Sequence, residues 1–161
     1  VAVDERDFSK YGFRGNLAGL RFQQMVEQNC FIAGGGNLVA PAQRMVDFAN
    51  GKSSSSLPDC SYIPGVSSVQ MRNILPKEVS EALRKGVQTF GKKMKGYFTN
   101  EALLVATESR TSSPVRIPRD KATLEHPQIK GLYPCAEGAG YAGGIVSAAI
   151  DGERCAEMAV S

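Results

Sequence analysis

The chain has 161 residues, 42% of them hydrophobic and 22% charged, with nineteen Lys and Arg against sixteen Asp and Glu for a formal charge of +3. A chain of this length buries roughly 70% of its unfolded surface; the near-average composition excludes wholesale disorder and a membrane span, and so mild a basic excess excludes a nucleic-acid partner. Cys30, Cys60, Cys135 and Cys155 form no CxxC pair and His126 is the one histidine, so zinc-ligand spacing is missing, no metal is expected, and four buried or half-buried thiols are. With no signal peptide and no compact cysteine framework, a reducing cytoplasm is the expected compartment. Val1 in place of an initiator methionine reads as a piece of a longer chain.

Val1 to Asp7 reads as the end of a strand, and Tyr11 to Asn16, with two glycines, as a turn. Ala18, Phe22, Met25 and Val26 then recur at helical spacing, with Asn16 as cap, glycines at 34 to 36 beyond the end, and Arg21, Gln24, Glu27 and Gln28 on the polar face. Pro41 stands where a first helical position would be, and Ala42, Met45, Val46 and Ala49 continue a short second helix that Gly51 ends. The serine-rich segment at 51–58 is a low-complexity linker, too polar to pack, whose serines lack a base partner.

The clearest helix begins at Pro76 and stops at Gly96: Val79, Leu83, Val87, Phe90 and Met94 form an apolar stripe. Glu78 and Glu81 occupy its first turn, and Lys92, Lys93 and Lys95 complement the dipole in its last. LLVATESR and VRIPRD read as two extended runs joined by TSSP, with Pro118 making the second an edge. Lys121 to Gln128 is a polar loop in which His126 has a structural or solvent-exposed role. GLYPC is a short strand, and Ile145, Ala148, Ala149, Gly152, Ala156 and Ala159 line one face of a last helix, small enough to pack closely.

Two constellations carry chemistry. In GLYPCAEGAGYAGGIVSAAIDG, Gly138, Gly140 and Gly143 spell GxGxxG, but a dinucleotide-binding unit needs a second strand with an acidic residue roughly 20 positions on, and Ser161 comes too soon for that. Glu137 followed by glycines and a helix start does place a carboxylate beside free N–H donors, which suits a ligand with hydroxyl groups next to a polar or anionic acceptor. In RTSSPVR, Arg110 and Arg116 suit a carboxylate or phosphate, and Thr111, Ser112 and Ser113 add hydroxyls. Neither serine has a nearby His or Lys, so covalent serine catalysis is disfavoured, and the catalytic residues stay open.

VATESRTSSPVRIPRD followed by HPQIKGLYPCAEGAGYAGGIVSAAIDG resembles the C-terminal part of the predicted FAD-dependent dehydrogenases, bacterial flavoproteins with two dinucleotide-binding domains. The likeness extends upstream through GNLAGLRFQQMVEQNCFIAGGGNLVAPAQRMVDF and SYIPGVSSVQMRNILP, so it covers nearly the whole chain. The resemblance implies an α+β fold in which residues 1–100 form a mainly helical, substrate-side inserted region containing the 51–58 linker. Residues 101–161 would supply a strand pair and the last strand and helix of the FAD domain.

It further implies that Glu137 holds a ribitol hydroxyl and that Gly143 and Gly144 face the flavin, Gly138 and Gly140 belonging to the same cofactor-binding turn. Arg110, Thr111, Ser112, Ser113 and Arg116 would lie near the flavin and bind a small anionic substrate or a nicotinamide nucleotide. The family has a glycine before the acidic residue; here Ala136 stands there, whose methyl group would crowd the cofactor. FAD is expected in the full-length parent, an oxidoreductase whose N-terminal Rossmann half is the partner of this piece, whereas the piece alone is expected to be colourless and inactive. Two other readings remain at this point: a self-contained helical interaction module using the apolar faces around residues 17 to 49, and a GxGxxG protein binding nucleotide without flavin.

Overall fold

The computed structural model describes residues 1–160 and is α+β, with five α-helices and a small mixed sheet of three strands among those residues. The described residues divide into two compact units: residues 1–13 with 21–109, and residues 14–20 with 110–160.

In the first unit, α1 (Glu5–Lys10) replaces the expected strand end at 1–7. Asp4 caps it by accepting from Arg6 N, and Asp7 accepts from Asp4 N at 3.1 Å, a reciprocal capping box that outweighs the β-branched start. Tyr11 to Asn16 is the expected turn. Helix α2 (Ala18–Ala33) follows, ending at the glycines as expected but starting one residue later than an Asn16 cap would set it. Phe22, Val26 and Cys30 are its buried stripe within this unit, with Met25 half-buried, and Phe8 and Tyr11 pack their rings on Phe22 at 5.1 and 5.5 Å. Burial pushes the Cys30 thiol up from its ordinary value.

Ala40–Arg44 is not the first turn of a helix but strand β1, the middle of the sheet. It pairs in parallel with β2 (Val66–Ser68) and antiparallel with β3 (Leu103–Val105). Pro41 is tolerated because it lies at the end of the β1–β3 ladder, where its carbonyl accepts from Ala106 N at 3.0 Å and no N–H is returned. The helix expected from Pro41 shrinks to α3 (Met45–Asn50), closed by Gly51 at φ 70°, with Gly51 N on Phe48 O and Lys52 N on Asp47 O.

Ser53, Ser55 and Ser56 of the serine-rich segment are exposed, as expected of a linker, but Ser54 packs. The Ser54 hydroxyl is buried, accepting from Arg44 N at 3.0 Å and donating to Asp47 Oδ2 at 2.7 Å, while Ser56 O accepts from Arg44 Nε at 2.7 Å. The buried Ser54 hydroxyl is thus satisfied by Arg44 of β1 and Asp47 of α3. Gln43, 2% exposed, is likewise satisfied: its amide donates to Lys52 O at 2.6 Å and accepts from Met71 N at 2.9 Å.

Helix α4 (Lys77–Lys93) runs close to its expected bounds. The Tyr11 hydroxyl accepts from Lys77 N at 3.1 Å, and Lys10 pairs with Glu78 at 3.0 Å. Val87 joins Met45, Phe48, Ala49 and Met71 in the core, with Leu83 partly buried against them. Arg84 and Gln88 donate to Ala49 O at 2.9 to 3.2 Å, satisfying a carbonyl at the end of α3. Phe90 departs from expectation: it is 48% exposed, edge-on to Tyr97 at 5.8 Å.

In the second unit, VRIPRD and GLYPC are not strands: neither pairs in a ladder among the described residues, and Gly131 at the start of GLYPC takes φ 75°. The loop at 121–128 is present, with Asp120 Oδ1 accepting from Ala122 N and Thr123 N, both at 2.8 Å, and His126 Nδ1 accepting from Gln128 N at 3.1 Å. Helix α5 (Ile145–Val160) buries Asp151 and Cys155, with Ala148, Gly152 and Met158 partly covered. The expected small-residue stripe is therefore rotated: Ile145 is 92% exposed, and Ala149, Ala156 and Ala159 are exposed as well. Of the four free thiols, Cys60 is exposed rather than half-buried. No helix among the described residues is long and apolar enough to cross a membrane.

Candidate functional site

The ten residues singled out in the sequence all fall in the second unit. After Pro134, Ala136 takes φ 57°, the left-handed region in which a side chain costs roughly 1–2 kcal/mol. That conformation is why a glycine suits the position before the acidic residue. The chain then turns tightly, with Gly140 N donating to Glu137 O at 3.1 Å and Tyr141 N to Ala136 O at 3.0 Å. The Glu137 carboxylate is displayed on the outside of this turn, exposed, and Gly138, Gly143 and Gly144 are exposed too.

The glycines divide into two kinds. Gly140 has φ 82°, and a Cβ there would meet Val115 O at 2.8 Å and Arg116 Cα at 3.2 Å, so the fold itself demands it. Gly138 lacks a positive φ, and an added Cβ would meet nothing within 4 Å; at Gly143 and Gly144 the nearest atoms would be at 3.9 and 3.6 Å, ordinary contact distances. Nothing in the chain requires glycine at those three. Their bare backbone is a surface that an outside group can approach closely, which is the property a ligand-facing turn needs.

The two sequence constellations meet. The Ser113 hydroxyl donates to Val115 O at 2.7 Å and lies 3.3 Å from Gly138 O, Ile117 N donates to Ala139 O at 3.2 Å, and Tyr141 Oη donates to Ile117 O at 2.9 Å. Thr111 O is the atom nearest to a Cβ at Gly143. Arg116 sits over the Tyr141 ring at 4.3 Å from its centroid and remains exposed, as do Arg110, Thr111 and Ser112. The segment 111–117 thus lies along the glycine turn.

At the start of α5, Ser147 Oγ accepts from Gly144 N at 3.2 Å and donates to Gly144 O at 2.9 Å. The Gly144 amide is therefore committed within the protein, and the donors left at this helix start are the Gly143 amide and the first-turn amides, which have no intrahelical partner.

Sequence reasoning missed three residues beneath the turn. Arg119 Nη2 donates to Asp151 Oδ1 at 2.7 Å, and Nη1 donates to Asp151 Oδ2 and Pro134 O, both at 2.9 Å. The guanidinium also covers the Tyr141 ring at 3.7 Å. Asp151 Oδ2 in turn accepts from Ala136 N at 2.8 Å. Chiefly through Arg119, with the Ala136 amide adding to it, the Asp151 carboxyl is held below its ordinary value, while burial raises the Cys155 thiol. One signal was available: an aspartate three residues after Ala148 and four before Cys155 stands on the covered face of its helix, and a buried carboxylate needs a cation.

The profile of the family described as "FAD-dependent protein, C-terminal domain-like" matches residues 1–111. A protein of Clostridium beijerinckii (strain ATCC 51743 / NCIMB 8052), bearing the name "Uncharacterized protein", is 45% identical over 149 residues, covering 90% of this chain and 28% of that relative. The chain thus spans less than a third of this relative's length.

Proposed function

The chain belongs to the FAD-dependent protein, C-terminal domain-like family, and from that membership we propose that it is the C-terminal part of an FAD-dependent oxidoreductase of the dehydrogenase type. In this reading it contributes the ribityl and ring side of the flavin site, and the N-terminal Rossmann half of the parent chain, its partner, holds the adenosine and diphosphate. FAD, when bound, supplies the ring that accepts and donates hydride.

The residues on the turn suit that group. Glu137 is an exposed acceptor for ribityl hydroxyls, and the Gly143 amide with the first-turn amides of α5 are donors for the polar edge of a ring. Gly138 and Gly144 lack a side chain, so their bare backbone would let the ring and ribityl group approach closely. Arg110 and Arg116, with Thr111, Ser112 and Ser113, hold a small anionic substrate or the phosphate of a nicotinamide nucleotide beside the flavin. The observation that supports the reading most is the meeting of 111–117 with a turn whose Gly138, Gly143 and Gly144 the fold does not itself require.

The visible spectrum of the purified parent protein tests it. Flavin absorbance that stays with the protein through gel filtration is the expected result. A colourless parent that gains no absorbance on incubation with FAD favours instead a helical interaction module, for which Phe31, Ile32 and Leu38 are exposed apolar residues.

A further inference from the structure

We infer that Asp151 and Arg119 are positioning residues for the flavin-facing turn: together they clamp the Ala136 amide and the Pro134 carbonyl, and so fix the direction in which Glu137 is presented. The inference rests on the flavin reading above and adds to it two residues that touch neither flavin nor substrate.

The contacts around this pair argue for the clamp. Asp151 stands two turns into α5 and is 9% exposed, a costly place for a carboxylate unless the charge is used. One of its oxygens is given wholly to Arg119 and the other is shared between Arg119 and Ala136 N. Beyond Asp151, Arg119 donates to Pro134 O and, from Nη1, to Cys155 Sγ at 3.2 Å, and it covers the Tyr141 ring; Pro134 and Tyr141 are residues just before and just after the turn. Both ends of the 135–140 segment are thereby tied to one guanidinium–carboxylate pair.

The tie matters most at Ala136. A non-glycine residue at positive φ persists when its surroundings over-determine it, and the N–H···Oδ2 bond of 2.8 Å is the contact that fixes the peptide leading into it. Rotation of that peptide would swing Glu137, the next residue, away from its present side of the turn. An amide in place of the carboxylate cannot do the same work: Asn at 151 has one acceptor oxygen, and its NH2 would face the guanidinium donors.

The test uses the full-length parent protein and compares wild type, Asp151→Asn and Glu137→Ala by equilibrium titration with FAD, together with the visible circular dichroism of each at saturating FAD. Hydrogen exchange of the peptide containing Ala136 is followed without FAD. The expected result for Asp151→Asn is an FAD dissociation constant raised about tenfold or more, an altered flavin dichroism, and faster exchange at Ala136. A purely structural salt bridge would lower thermal stability and leave the saturated flavin spectrum unchanged.

If Glu137→Ala weakens FAD but Asp151→Asn matches wild type in affinity and spectrum, the clamp is overturned and the flavin reading stands. If both match wild type, the flavin reading falls and the clamp with it. Should Asp151→Asn not fold, Arg119→Lys, which keeps the charge but loses the forked geometry, takes its place with the same expected and overturning results.

Discussion

At the scale of single residues, the two glycines of the turn make opposite demands. Gly140→Ala places a methyl group 2.8 Å from Val115 O at a backbone φ of 82°, so it should destabilise the chain by about 1–3 kcal/mol. Gly138→Ala meets open space, so thermal stability should hold within about 0.5 kcal/mol, while FAD affinity in the parent should drop. Thermal melts of both variants with FAD titration of the second check this; a stable Gly140→Ala, or an unaffected flavin affinity in Gly138→Ala, would contradict the division between fold glycines and ligand glycines. In the sequence the two look alike, because GxGxxG spacing records which positions lack a side chain and not why.

Asp151 gives a pH signature. Its carboxyl is depressed below the ordinary 3.8 in the folded chain, so its stabilising contribution is fully present above that unfolded value and disappears as pH falls through the folded one. The stability gap between wild type and Asp151→Asn should therefore be constant near neutral pH and close progressively below about pH 4. Melting temperatures of the two across that range measure it; a gap that persists in strong acid would mean that the carboxylate charge is not what stabilises the pair.

At the scale of elements, α4 was legible and β1 was not. The stripe from Val79 to Val87 announces a helix because α4 gets its amphipathic signal from one continuous segment. The strand Ala40–Arg44 depends on partners 26 and more residues away, Val66–Ser68 and Leu103–Val105, and no local pattern in APAQR records them. Pro41 before an apolar run resembles a helix start for the same reason that it can end a ladder: it needs no donor.

The stripe on α4 also overstates burial. Val87→Asp should cost more than about 3 kcal/mol, since it leaves a carboxylate in the core cluster, whereas Phe90→Asp, at a position 48% exposed, should cost about 1 kcal/mol or less. Chemical denaturation of the two variants distinguishes them; equal losses would place Phe90 in the core. The α5 stripe misleads in a similar way, because small residues fit either face and it is Asp151 and Cys155 that mark the covered one.

At the scale of the whole molecule, the α+β class followed from the family resemblance, which was itself readable in long runs of the sequence. The site was readable in part: Glu137, the glycines and RTSSPVR were named, and the structure brings the two segments together in one unit, but Arg119, Tyr141 and Asp151 act through contacts spanning 15 to 32 residues that no motif encodes. The chain covers 28% of the length of its Clostridium beijerinckii relative.

Under the proposed function, the turn at 137–144 carries the ribityl and ring contacts of FAD. Equilibrium titration with FAD, followed by flavin fluorescence, on the isolated 161-residue chain, the intact parent and its Glu137→Ala variant tests it most directly. Loss of a charge-assisted contact of roughly 1.5–3 kcal/mol should raise the parent's dissociation constant about ten- to a hundredfold in the variant, and the isolated chain should bind weakly. An unchanged constant in Glu137→Ala, or micromolar binding by the isolated chain alone, would contradict the account.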